Sequence, residues 1–328
     1  MIKTITSKLV STTVLAGAVF AASTASAAWT GWNIHTEDYP VSKAMEFFIK
    51  EANERTDGRV SGRVYHGAVL GNQADAIAQM QIGSIDFAGF NLGPLGAYVP
   101  EVNVVSLPFV FKDVEHMHRA MDGKVGEALS AAMSETGIMS LSWFDGGARS
   151  FYNTSKPINT PDDVKGMKFR VMNNELYVGM VEALGGNGTP MAYSEVYQGL
   201  KTGVIDGAEN NWPSYDSSNH FEVSQYYSDT QHLILPECLC VSTAAWASLS
   251  DADKAVVKEV AKEASTLQRK LWAEREEKSR EKVLASGVKY NAIENKAPFQ
   301  AAMDVVYKDA VKANPSLQAL IDQIKSVQ

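Results

Sequence analysis

One short block of this sequence occurs twice, and the repetition restricts the fold more than any other feature. Gly83 matches Gly203, Ile85-Asp86 matches Ile205-Asp206, Ala88 matches Ala208 and Asn91 matches Asn211, so five of eleven positions agree between 81–91 and 201–211. In each copy a helical pattern ends at glycine, the chain turns, and a short strand follows with asparagine at its far end. The reading is a helix–turn–strand unit used once in each of two similar α/β lobes. Coincidence between two ordinary helix-to-strand turns is the competing account, because glycine at a helix end is common. If the units correspond, both asparagine-bearing strand ends can face one crevice, where α/β sheets usually bind ligands.

The rest of the chain alternates helix-like and strand-like segments, which predicts α/β architecture. Strands are expected at 30–36, 62–66, 85–90, 102–107 and 138–144, and helices at 41–55, 72–82, 114–121 and 125–135. Gly146-Gly147 reads as a break. Beyond it come strands near Arg149 and over 168–171, helices over 175–184 and 195–201, and a β-prone stretch over 234–245. Residues 251–286 keep helical spacing through Val256, Val260, Ala264, Leu267 and Leu271, with Ser250 as N-cap and Gly287 as stop. At a rise of about 1.5 Å per residue this helix reaches roughly 50 Å, longer than one small lobe, so it is expected to cross both. A strand over 288–292 and helices over 298–312 and 317–327 complete the pattern.

Residues 1–27 read as a cleaved secretory signal. Lys3 and Lys8 begin it, an apolar run covers 9–22, and Ala25-Ser26-Ala27 fits the cleavage rule. The run is short and rich in Ser and Thr for a membrane span; an uncleaved anchor is the alternative. The formal net charge is −8, and losing two leader lysines makes the mature chain more acidic. Such a chain is poorly matched to nucleic acid or anionic membrane surfaces. Cys238 and Cys240 lie two apart in a β-prone run and share a face there. The preferred reading is two small buried side chains. A disulfide is conceivable in an oxidising compartment but requires tight geometry, and no further ligands of suitable spacing suggest a metal.

Two arginines, Arg149 and Arg170, stand in separate strand-like runs. A guanidinium donates two parallel charged hydrogen bonds to a carboxylate, and nearby Asn side chains read hydroxyls as donor and acceptor. Together they point to a small hydroxylated organic acid. Each residue has a blander reading: Arg149 or Arg170 as a structural ion-pair partner, Asn210 or Asn211 as a turn cap, His35 as a core histidine, Gln73 as a solvated helix-start residue, and Trp143 or Trp212 as core. Zinc-protease, nucleophile-elbow and phosphate-loop motifs are not found, and His116 and His118 do not share a helical face. A carboxylate pair such as Glu195 and Glu209 leaves a sugar-acid enzyme as a competing class, and a ligand-presenting sensor as a third.

Gly67-Ala68-Val69-Leu70-Gly71-Asn72, Gly83-Ser84-Ile85-Asp86, Leu107-Pro108-Phe109-Val110-Phe111, Gly166-Met167-Lys168-Phe169-Arg170-Val171 and Gly203-Val204-Ile205-Asp206-Gly207, followed by Glu209-Asn210, occur in this order after the signal. In this the chain resembles the solute-binding proteins of tripartite ATP-independent periplasmic (TRAP) transporters, over essentially its whole mature length. The resemblance implies a two-lobe periplasmic binding protein with a ligand cleft between lobes and a long helix crossing both. It implies that Arg170 binds a carboxylate, that Asn210 sits opposite, and that Arg149 is the second arginine of members with acidic sugar ligands. The stretches around His35 and from Trp212 to Phe221 look like members that bind hexuronates such as glucuronate and galacturonate. Such members often carry Glu where this chain has Gln73, which leaves the particular sugar acid open. The expected division is 1–27 signal, 28–147 with 236–275 as one lobe, and 148–235 with 276–328 as the other. The expected ligand site is Arg170, Arg149, Asn210, His35, Gln73, Asn91, Asn211 and Trp212. The expected protein is a periplasmic monomer without catalysis, cofactor or metal that hands its ligand to TRAP membrane subunits; a C4-dicarboxylate is the alternative ligand.

Overall fold

Nine strands form one sheet in the computed structural model, which describes residues 28–328. The expected signal at 1–27 lies outside the described residues. The strands are β1 (Trp29–Asn33), β2 (Gly62–Tyr65), β3 (Phe87–Asn91), β4 (Ile138–Asn153), β5 (Lys168–Val171), β6 (Asn187–Pro190), β7 (Gly207–Asn210), β8 (Tyr226–Ser242) and β9 (Lys289–Ala292). Their order is β2-β1-β3-β8-β4-β7-β5-β6, with β9 alongside β8. β1, β2 and β3 pair in parallel, and so do β5, β6 and β7. Between these two trios run β4 and β8, antiparallel to each other and to β7 and β3 respectively.

The repeated block is a structural repeat. Its two strands are β3 and β7, each the innermost strand of its trio. Gly83 and Gly203 both adopt left-handed φ, 75° and 73°, which a Cβ would penalise. The Asp86 amide donates to the Thr30 carbonyl at 2.9 Å, and Asp86 Oδ2 accepts from the Thr30 amide at 2.7 Å. Asp206 repeats both bonds with Lys168, at 2.8 and 2.7 Å. An aspartate side chain at this turn therefore takes up the amide at the start of the neighbouring parallel strand. The asparagines correspond as well: Asn91 Oδ1 accepts from the Gly93 amide at 2.9 Å, and Asn211 Oδ1 from the Ser214 amide at 2.8 Å.

The helix Pro40–Arg55 buries Val41, Ala44, Met45, Phe48, Ile49 and Ala52 in one core cluster with Val257, Val260 and Ala264 of the long helix Asp251–Ala285. Each large apolar side chain so placed contributes about 1.5–3 kcal/mol. The buried face of the long helix runs through Val257, Val260, Ala261, Ala264, Gln268 and Trp272, rotated slightly from the expected stripe through Leu267 and Leu271. Ser250 Oγ caps it, accepting from the Asp253 amide at 3.1 Å. In its first half Glu263 pairs with Arg55 at 2.6 Å. Near its end Ser279 Oγ donates to Asp216 Oδ2 at 2.9 Å, and Lys282 Nζ lies 2.5 Å from Asp216 Oδ1. It thus joins both halves of the sheet, as its length requires.

Several expectations are corrected. Most of the strand expected over 102–107 is a 3-10 helix, Pro100–Ser106, whose buried valines mimicked a strand. The chain does not break at Gly146-Gly147: β4 runs through, with register shifts between Asp145 and Ala148 and between Arg149 and Phe151. The glycines make a β-bulge in place of a loop. β8 starts at Tyr226, well before 234, and β6 was missed because its four residues carry no alternation. The last helix, Ser316–Ser326, puts Leu317, Ile321 and Ile324 into one core with Val102, Val125 and Leu129, so the chain end lies against first-half elements. Cys238 and Cys240 form a disulfide, with Cα atoms 5.3 Å apart, where separate thiols were preferred. Residues two apart in a regular strand are about 6.6 Å apart. The register shift between Ser140 and Ser142 of β4, opposite Cys240 and Leu239, accommodates the contraction.

Candidate functional site

A cavity of about 300 Å³ opens where the strand ends of the two trios meet β4 and β8. Its lining includes His35, Gln73, Asn91, Arg149, Arg170, Asn210 and Asn211, together with Tyr193, Ser214 and Glu237. Asn91 and Asn211, the matched ends of the repeat, do face one crevice. Tyr39 OH and Ser214 Oγ meet at 2.8 Å beside it, joining the two sides.

The two arginines differ sharply in their surroundings. Arg149 is buried and already paired: Nε and Nη2 reach the two carboxylate oxygens of Glu209 at 2.6 and 2.8 Å, and Nη1 donates to Asn210 Oδ1 at 2.7 Å. Antiparallel pairing of β4 with β7 sets Glu209 beside Phe151 and Asn210 beside Ser150, which brings both within reach. Burial alone lowers the Arg149 pKa, but the charge and hydrogen bonds of Glu209 outweigh it and hold the guanidinium above its ordinary value. Beneath the pair His232 stacks on Phe151 at 4.2 Å. Burial, then the charges of Arg149 and Lys296, hold its pKa well below the ordinary value, so the ring is neutral.

Arg170 is as buried but has no such partner. Nε and Nη2 donate to the Met191 carbonyl at 2.9 and 2.8 Å, and the group lies 6.0 Å from the Tyr193 ring centroid. Among the described residues it makes no ion pair, and Nη1 makes no hydrogen bond. Burial draws its pKa down, with the Glu209 charge opposing. Burial, aided by the Arg170 charge, also holds His220 down at about 3. A desolvated cation without a counter-ion is costly, and an anionic occupant offsets that cost.

The polar groups around it are largely committed in one sense. Asn210 Oδ1 accepts from Arg149 and from the Asn211 amide at 2.9 Å, which leaves Nδ2 as the free donor. Gln73 is buried, not solvated; its Nε2 donates to the Asn91 carbonyl at 2.6 Å, leaving Oε1 as an acceptor. A glutamate there would keep an acceptor but lose the donation to the Asn91 carbonyl, setting a carboxylate oxygen against a carbonyl oxygen, so this backbone contact needs the amide. His35 stacks on Tyr39 at 3.8 Å, its Nε2 3.8 Å from Glu237 Oε1. Asn211 caps the helix Trp212–Ser217 and donates to the Gly146 carbonyl at 2.8 Å, so its amide is spent on structure. Trp212 is not part of the lining: it stacks on Tyr227 at 3.7 Å in the second-half core. Glu237 and Tyr193 were missed, and Glu209 was weighed only as a general acid or base. A lone acid in the apolar run around Cys238 was the available sign for Glu237, since unpaired carboxylates are rarely buried.

The family model for bacterial extracellular solute-binding proteins, family 7, matches residues 33–314. The fold is similar to a TRAP periplasmic solute-binding protein from Chromohalobacter salexigens solved with bound D-glucuronate, at TM-score 0.90 and 55% identity over 92% of this chain and all (100%) of that one. A counterpart from Roseobacter denitrificans with bound β-D-glucuronate matches at 0.91 and 54%, covering 92% and 100%. One from a Sulfitobacter species with bound β-D-galacturonate matches at 0.89 and 55%, covering 91% and 99%.

Proposed function

The chain belongs to the bacterial extracellular solute-binding proteins of family 7, and on that premise we propose that its cavity captures a hexuronate, D-glucuronate or D-galacturonate, for handover to TRAP membrane subunits. The observation that carries this reading is Arg170, a buried cation without an acid partner among the described residues, beside an Arg149 that Glu209 has already neutralised. An anionic ligand group gives the Arg170 guanidinium the partner it lacks. The ligand carboxylate lies on Arg170, with Asn210 Nδ2 as a second donor, while Gln73 Oε1 and the His35 and Asn91 side of the cavity read ring hydroxyls. Arg149 acts through Asn210, whose amide it orients. The cavity volume of about 300 Å³ suits a single hexose-sized ring. The ligand is released unchanged, as a transport carrier requires. Residues 1–27 direct the chain to the periplasm and are removed. One lobe takes 28–147 with 236–275 and the last helix, Ser316–Ser326, and the other takes 148–235 with the rest of 276–328; the contacts of the last helix with Pro100–Ser106 and Lys124–Ser134 support its place in the first.

The test is calorimetric titration and thermal shift on mature protein, unfolded and refolded to strip any ligand carried from the expression host. Glucuronate or galacturonate raises the melting temperature, while glucose and succinate do not. A shift with succinate alone overturns the hexuronate reading in favour of a dicarboxylate.

A further inference from the structure

Glu237 is the second charge in the cavity that the protein does not neutralise. It lies in β8, is only 3% exposed, and lines the same cavity as Arg170. Its Oε1 accepts from Asn91 Nδ2 at 3.3 Å and stands 3.8 Å from His35 Nε2. Its Oε2 is buried with no hydrogen-bond partner among the described residues. Glu209, equally buried, has both oxygens on Arg149, so the fold is able to satisfy a carboxylate here and does so for only one of two. Arg170 and Glu237 do not serve each other. They stand on β5 and β8, separated in the sheet by β7 and β4. Three strand spacings amount to about 14 Å.

The cavity is therefore dipolar, with an unpaired cation at one end and an unpaired carboxylate oxygen at the other. An occupant that satisfies both is an anion at one end and a hydroxyl donor at the other, with no second anionic group. We infer that Glu237 is a specificity-determining residue: its Oε2 accepts a hydroxyl proton from the part of the sugar ring remote from the ligand carboxylate and repels any ligand charged at both ends. This inference rests on the hexuronate reading and sharpens it. A monoacid sugar fits, whereas an aldarate or a C4-dicarboxylate brings a second carboxylate against Glu237, a like-charge contact that works as selection against the wrong ligand.

The experiment titrates refolded wild type, Glu237→Gln and Glu237→Asp with D-glucuronate and with D-glucarate, in which a second carboxylate replaces the C1 end. Wild type prefers glucuronate. In Glu237→Gln the glucuronate affinity falls about tenfold or more, because a charged acceptor is lost, and the preference over glucarate shrinks by at least as much. Glu237→Asp keeps the charge but shortens the reach, so affinity falls while rejection of glucarate persists; this variant decides the point if the Gln variant does not fold. Ligand-free Glu237→Gln melts no lower than wild type, because it removes a buried unsatisfied charge, whereas a merely structural glutamate would lower the melting temperature. If the variants keep wild-type affinity and selectivity, Glu237 has no such role and the hexuronate reading stands. If wild type binds no hexuronate, both fall together.

Discussion

Replacing Arg170 and Arg149 separately by methionine should have opposite consequences, although the two arginines line one cavity at similar burial. Methionine keeps most of the apolar stem and removes the charge. In Arg170→Met the ligand carboxylate loses its only unshared guanidinium, which costs about 2–4 kcal/mol of binding, roughly 30- to 800-fold in Kd. Ligand-free stability changes little. The Met191 carbonyl loses two donors, at 2.9 and 2.8 Å, but a desolvated cation disappears with them. These effects oppose each other and leave about 1 kcal/mol or less. Arg149→Met instead strands Glu209, which is fully buried and has both oxygens on that guanidinium. Breaking such a pair costs about 3–5 kcal/mol, which lowers the melting temperature by roughly 5–10 °C in a chain of this size. Differential scanning calorimetry on ligand-free protein and isothermal titration with glucuronate measure the two quantities independently. Equal loss of stability in both variants, or wild-type affinity in Arg170→Met, refutes the distinction between a cation kept for the ligand and one kept for the fold.

Acid should weaken the fold through His220. Its folded pKa, about 3, lies below the ordinary value of 6.5 because of burial and then the Arg170 charge, so the unfolded chain takes up the proton first as pH falls. Its contribution is intact above about pH 6.5 and is lost toward pH 3, on the order of 1.4 kcal/mol per pH unit; His220→Gln should flatten the stability profile across that window in urea titrations. The Cys238–Cys240 disulfide closes only a three-residue ring. Chain entropy gives such a ring about 1.5 kcal/mol, so including reductant in the unfolding buffer should lower stability by no more than about 2 kcal/mol. A loss several times larger would mean that the bond acts on the folded strand and not on the unfolded chain.

The sequence disclosed what depends on local chemistry. Gly83, Asp86, Asn91 and their counterparts Gly203, Asp206 and Asn211 are legible because each makes a short-range turn or cap, and such contacts constrain residue type at fixed spacing. The long helix was legible for the same reason, through its cap and period. What stayed hidden depends on register across the sheet. That Arg149 would meet Glu209 follows from the pairing of β4 with β7, which no single segment encodes. Trp212 was expected in the ligand site, yet the short helix it begins turns it onto Tyr227. The disulfide was passed over because an i to i+2 bridge is unfavourable in a regular strand, and the irregularity that permits it lies in a different strand.

The interruptions in the β4/β8 ladder also bear on how the molecule can flex. Ala148 and Arg149 pair with Ile234 and Leu233 as a short island between two register shifts, and Gln231 on the opposite strand has φ 44°. A ribbon yields where its rungs are missing, so any rotation of one half of the sheet against the other concentrates its torsion around Arg149. The same guanidinium aims Asn210 at the cavity. Flexure and grip are thus one mechanical element: twisting the ribbon shifts the Asn210 donor directly, and an occupant spanning from Arg170 to Glu237 acts as a tie rod across the bend.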